Sequence, residues 1–156
     1  MRRIFCLVVI LIFSLSLTGC ADKKLAMDEL AANGTYHYQN KDLGFSLALP
    51  QEFQYYQTQR KQSGSAVDLE IFVPTSDRAY SQQITGYAKP ITVRIYNNKD
   101  WQKLPETDEN KKMFSVINEQ IDKVYVLKFW QDIPNDWKDK WTEEMKQEII
   151  KSFKII

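Results

Sequence analysis

The chain has 156 residues, with 21 basic and 20 acidic side chains, a net charge of +1, one histidine and two cysteines. So even a balance offers no electrostatic footprint for nucleic acid. Two cysteines exclude a disulfide-dense scaffold, and a single histidine excludes a histidine-rich zinc site.

The first element is an export signal. Met1, Arg2 and Arg3 make a cationic start, and residues 4–15 are almost wholly apolar. That run falls short of the roughly 20 apolar residues a membrane-spanning helix needs. Leu17-Thr18-Gly19-Cys20 follows it, and this tetrad resembles the lipobox of bacterial lipoproteins. The resemblance implies a diacylglyceryl group on the Cys20 thiol, cleavage just before it, and Cys20 as the mature N-terminus. Gly19-Cys20-Ala21 also reads as a small-x-small site for the ordinary signal peptidase, which would cut after Ala21 and discard the cysteine. On the lipobox reading, residues 1–19 are a signal peptide and the protein is anchored to a membrane by its acyl chains without spanning it. Alanine rather than aspartate after Cys20 then favours the outer membrane, periplasmic face, where the cell has two membranes. Cys6 leaves with the signal and Cys20 is acylated, so the core alone must stabilise the folded part. Arg2 and Arg3 leave too, which tips the charge balance to the acidic side by one.

Residues 20–34 read as a lipid-anchored tether closed by the Asn33-Gly34 turn signal. Residues 35–156 form one domain. Tyr36 to Gln39 predict a short strand, and Asn40-Lys41-Asp42 a turn. Phe45, Leu47 and Leu49 alternate with small residues up to Pro50, and Val67, Leu69, Ile71 and Val73 alternate up to Pro74. Ile91, Val93 and Ile95 repeat the pattern against Thr92, Arg94 and Tyr96. Residues 114–119 and 124–130 predict a hairpin around Gln120 to Lys123. Residues 99–104 predict a short helix before Pro105. Trp141, Met145, Ile149 and Phe153 recur every four residues and predict a C-terminal helix that starts between Asn135 and Thr142. This mixture predicts an α+β fold, a central antiparallel sheet flanked by helices.

Two stretches carry a second resemblance. "YQNKDLGFSLALPQEF" (Tyr38 to Phe53) resembles the opening strand pair of the PsbP/Mog1-like proteins, and "EIIKSFKII" (Glu148 to Ile156) is similar to their ending. The resemblance implies a PsbP/Mog1-like αβα sandwich. Photosynthetic members attach to photosystem II, but no ion-binding pattern of theirs is found here to carry over.

Catalytic templates fail in turn. A nucleophile, base or metal must sit in a defined constellation, and the single histidine, His37, lies on a short strand where a solvent-facing role is expected. The five glycines form no phosphate-cradling loop. Asp68 and Glu70 share one strand face. They could serve a glycosidase, but their alternation with apolar residues predicts a solvated or helix-flanking face. Glu106, Asp108 and Glu109 read as an acidic loop without calcium-loop spacing. Asp132, Asp136 and Asp139 read as charges opposing the dipole at the start of the last helix. Trp137 and Trp141 stand one helical turn apart and are expected in the core. Tyr55, Tyr56, Tyr80 and Tyr87 flank loop-like segments, and the long stretch from Pro74 to Lys89 lacks alternation. They are the candidate binding surface. The expectation is a non-catalytic accessory or protein-binding domain at the cell envelope, with a membrane and an envelope protein as partners and no metal or cofactor. The alternative is a small-ligand or glycan-binding module built on the tyrosine-rich loops.

Overall fold

The computed structural model describes Leu30, Ala31, residues 33–80 and residues 83–156. The signal and the lipobox, Leu17, Thr18, Gly19 and Cys20, lie outside the described residues. Among the described residues, eight strands and three α-helices follow one another: β1 (Thr35–Asn40), β2 (Phe45–Pro50), β3 (Gln57–Ser63), β4 (Ala66–Pro74), β5 (Tyr87–Asn97), α1 (Asn98–Lys103), α2 (Glu109–Met113), β6 (Ser115–Glu119), β7 (Lys123–Phe129), α3 (Glu143–Ser152) and β8 (Lys154–Ile155). Among the described residues, no helix is long and apolar enough to cross a membrane.

The α+β class holds, but the expected single sheet is two. β3-β4-β5-β7-β6 form a five-stranded antiparallel sheet, and β1-β2-β8 form a separate three-stranded one. The split has a simple origin. Phe45, Leu47 and Leu49 of β2 are buried on one face only, so the small sheet lies as a layer on the larger one and does not extend it. Leu69, Ile71 and Val73 of β4, Ile91 and Val93 of β5, and Tyr125 and Leu127 of β7 supply the other half of this core. Met145 and Ile149 of α3 close it. Each such side chain contributes about 1.5–3 kcal/mol on burial. Trp137 and Trp141 are buried here as expected, although Trp137 sits in a 3-10 turn (Asn135–Trp137) and Trp141 precedes α3.

Local chemistry explains the helix ends. Asn97 caps α1 by accepting from the Lys99 N–H (3.0 Å), Asp108 caps α2 through the Asn110 N–H (2.8 Å), and Thr142 caps α3 through the Met145 N–H (3.2 Å). Glu143 and Glu144 occupy the first turn of α3, so they, and not Asp132, Asp136 and Asp139, oppose its dipole. At the β1–β2 turn Gly44 adopts φ +80°, and the space beside it is closed by the Tyr125 hydroxyl, which donates to the Leu43 carbonyl at 3.0 Å.

Candidate functional site

The five-stranded sheet has a second face, and its make-up follows from strand alternation. Ala66, Tyr96, Val124 and Val126 form a small apolar cluster there, roofed by Trp101 and Leu104 from α1 and its end and by Phe114 after α2. The helices cover only that half. The remaining half carries Asp68, Glu70, Thr92, Arg94 and Lys128 on the floor of an open groove of about 510 Å³. Asn110, Met113 and Phe114 form one wall, Tyr80 and Lys89 another, and Trp130 to Asp132 close an end. A second hollow of about 340 Å³ shares Tyr80, Lys89, Trp130 and Asp132 with it and reaches Phe72 and Gln83.

Register builds the floor. Asp68 stands opposite Arg94, and Glu70 opposite Thr92, which in turn faces Lys128. The Arg94 guanidinium donates to both Asp68 oxygens, Nε to Oδ1 at 2.6 Å and Nη2 to Oδ2 at 2.8 Å. Its other N–H groups reach Ser63 Oγ (3.0 Å), Asn110 Oδ1 (2.6 Å) and the Tyr96 hydroxyl (3.4 Å). Phe114 lies against it at 4.6 Å. The hydrogen bond to Asp68 raises the Arg94 pKa further above its already high value. Glu70 accepts from Lys89 Nζ on Oε1 and from Gln83 Nε2 on Oε2, both at 2.5 Å, and Gln83 also reaches Gln59. Asp68 and Glu70 are 4% and 3% exposed. They are therefore not solvated; their face flanks helices, and buried charge requires this pairing. Both carboxylates are occupied as ion-pair acceptors, which leaves them ill-suited to act as acid and base on a substrate.

The tyrosines do not gather on one surface. Tyr80 lines both hollows. Tyr56 packs on the core side against Tyr36 and Tyr38, with ring centroids 6.2 and 6.4 Å away. Tyr55, beside it, is 73% exposed with a left-handed φ of 62°. Tyr87 is half-buried opposite Pro74 at the start of β5. Between these strands the loop is tied down. Thr75 N–H meets Gly86 O at 2.9 Å, and Asp136 accepts from the Thr75 hydroxyl and the Ser76 N–H, each at 2.8 Å. Burial disfavours ionised Asp136, but the hydrogen bonds from Ser76 and Thr75 outweigh it and hold its pKa below the ordinary carboxylate range. Asp136 thus fastens the loop rather than starting the helix, while Asp132 stands at the groove rim.

Other candidates disperse. His37 is exposed on β1. Asp108 is a helix cap, and Glu106 pairs with Lys111 at 2.5 Å, so the expected acidic loop contains α2. Among the described residues, no group of three His, Cys, Asp or Glu could hold a metal ion. Sequence reasoning placed Gln83 and Lys89 only within the unpatterned stretch from Pro74 to Lys89, with no role for either side chain, and missed Arg94 and Lys128 as partners on this face. Polar residues at outward positions of otherwise apolar strands were the available signal, but only register reveals that they meet. The chain matches no protein-family model, no curated protein and no solved structure.

Proposed function

We propose that this chain is a non-catalytic binding domain held at a membrane surface by acyl chains on Cys20, with the outer-face groove as its working surface. One observation carries the binding half. Asp68 and Glu70 are spent on Arg94 and Lys89, while an open space of about 510 Å³ remains beside them. That volume falls in the range of ligand pockets, roughly 300–1,000 Å³. It suits a small molecule or a short segment of an envelope partner. The lipobox at Leu17 to Cys20 supports the anchor half. The α+β class leaves room for a PsbP/Mog1-like sandwich, and that finer assignment, resting on the Tyr38 to Phe53 and Glu148 to Ile156 stretches, belongs to the same proposal.

A photoreactive amino acid placed at Met113, 41% exposed on the rim, tests the groove in the full-length protein in its host envelope. Irradiation is expected to add one reproducible mass, read by intact-mass spectrometry, that is missing when the same group replaces the exposed Lys151 of α3. The same adducts at both positions would refute the groove as the working surface.

A further inference from the structure

Resting on the groove as a binding surface, we infer that it takes an organic carboxylate with an apolar body, whose charged end is held by Lys128 and Thr92. Three cations line the groove, and two are fully engaged: Arg94 by Asp68 and Lys89 by Glu70. Lys128 differs. Among the described residues it makes no hydrogen bond or ion pair, and its one recorded contact of this kind is the Phe114 ring at 5.9 Å. A lysine ammonium carries three donors and no acceptor. Half-buried on β7 without a counter-ion, it is, among the described residues, the one positive charge of the groove left for a ligand.

Thr92 supplies the second donor. The residue is 8% exposed, and its hydroxyl has no hydrogen-bond partner among the described residues. Thr92 stands directly opposite Lys128 in the register of β5 and β7. Side chains opposed in this way start about 4.5–5.5 Å apart at their Cβ atoms. From Cβ atoms at that spacing, an ammonium on its flexible stem and a short-tethered hydroxyl can each reach one oxygen of a single carboxylate.

The rest of the lining chooses among anions. One uncompensated cation matches one negative charge, and Asp132 on the rim opposes a dianion such as a phosphate monoester. Beyond the charged end, Phe114, Met113, Tyr80 and Trp130 offer apolar and aromatic surface to a hydrophobic body. A ligand that buries that body and meets Lys128 with a carboxylate uses both parts of the site.

Paired probes test this with the full-length protein: 2-naphthylacetate and its uncharged amide, 2-naphthylacetamide, titrated against 15N-labelled protein. The acid is expected to bind about tenfold more tightly than the amide, as charge-assisted hydrogen bonding requires, and to shift the Thr92, Lys128 and Trp130 resonances. Its advantage shrinks at high salt. Lys128→Met keeps the apolar stem and should bring the acid down to the affinity of the amide without changing the amide. Thr92→Val should weaken the acid several-fold, and a preserved amide spectrum shows that each variant is folded. Equal binding of acid and amide overturns the carboxylate assignment while leaving the groove as an apolar site. Shifts confined to residues away from the groove, or no shifts at millimolar probe, overturn this inference, while crosslinking at Met113 separately decides the groove as the working surface.

Discussion

The Arg94 guanidinium meets both oxygens of Asp68 and spreads its remaining N–H groups over Ser63, Asn110 and Tyr96, so removing either charge strands the other on the groove floor. An Arg94→Met variant is expected to lose about 3–5 kcal/mol in urea denaturation, the usual cost of an uncompensated buried charge. The Asp68→Leu/Arg94→Met double variant should lose much less, because no ion is left behind. An equal loss in both would show that the pair packs the site rather than balancing it. Asp136 makes a different prediction. Its folded pKa lies below the ordinary 3.8 because Ser76 and Thr75 donors outweigh its burial. A carboxyl depressed in this way stabilises the fold fully above its unfolded pKa, and that contribution fades as pH falls toward the folded value. The stability gap between wild type and Asp136→Asn should therefore be widest near neutral pH and narrow below about pH 4. A gap that stays constant through acid titration would rule out the loop fastening as its source.

Elements with an apolar period were legible in the residues, and elements without one were not. The alternations ending at Pro50 and Pro74 became β2 and β4, the hairpin around Gln120 to Lys123 became β6 and β7, and the four-residue period became α3. β3 was invisible. Its sequence, Gln57 to Ser63, holds no apolar side chain because both its faces are largely exposed at the sheet edge, and β-pairing alone leaves no hydrophobic signature. α2 was missed for a related reason: none of its five residues is buried, and only the Asp108 cap marks it. The groove was half-legible. Asp68 and Glu70 on a partly covered face could be read from alternation, whereas their pairing with Arg94 and Lys89 depends on cross-strand register and on a loop that lacks period. Hydrogen exchange offers a direct check at this scale. Amides of β4, β5 and β7, with neighbours on both sides, should be the slowest to exchange, and those of β3 that face away from β4 among the fastest. Strong protection along the outer edge of β3 would instead show that another strand completes the sheet.

For the whole molecule, the proposal divides the work between an acyl anchor that would place the domain and a groove that would select what it meets. Two or more acyl chains hold a protein firmly, at about 0.8 kcal/mol per buried methylene, where one chain holds it only reversibly. Cys20→Ser is accordingly expected to move the protein out of the sedimented membrane fraction and abolish incorporation of labelled palmitate, while the circular dichroism of the domain stays unchanged. Retention of the serine form in membranes would overturn the anchor. The small sheet is closed by residues far apart in the chain. Phe45 stacks on Phe153 with centroids 5.2 Å apart, β2 pairs with β8, and the Ser152 hydroxyl accepts from the Ala48 N–H at 2.9 Å. The β1–β2 hairpin therefore gains its third strand and the Phe45 stacking partner only from residues 153–155. A nascent chain stalled anywhere earlier would present Phe45 without its stacking partner, making this seam the natural place for a chaperone to hold and for a truncated product to stick.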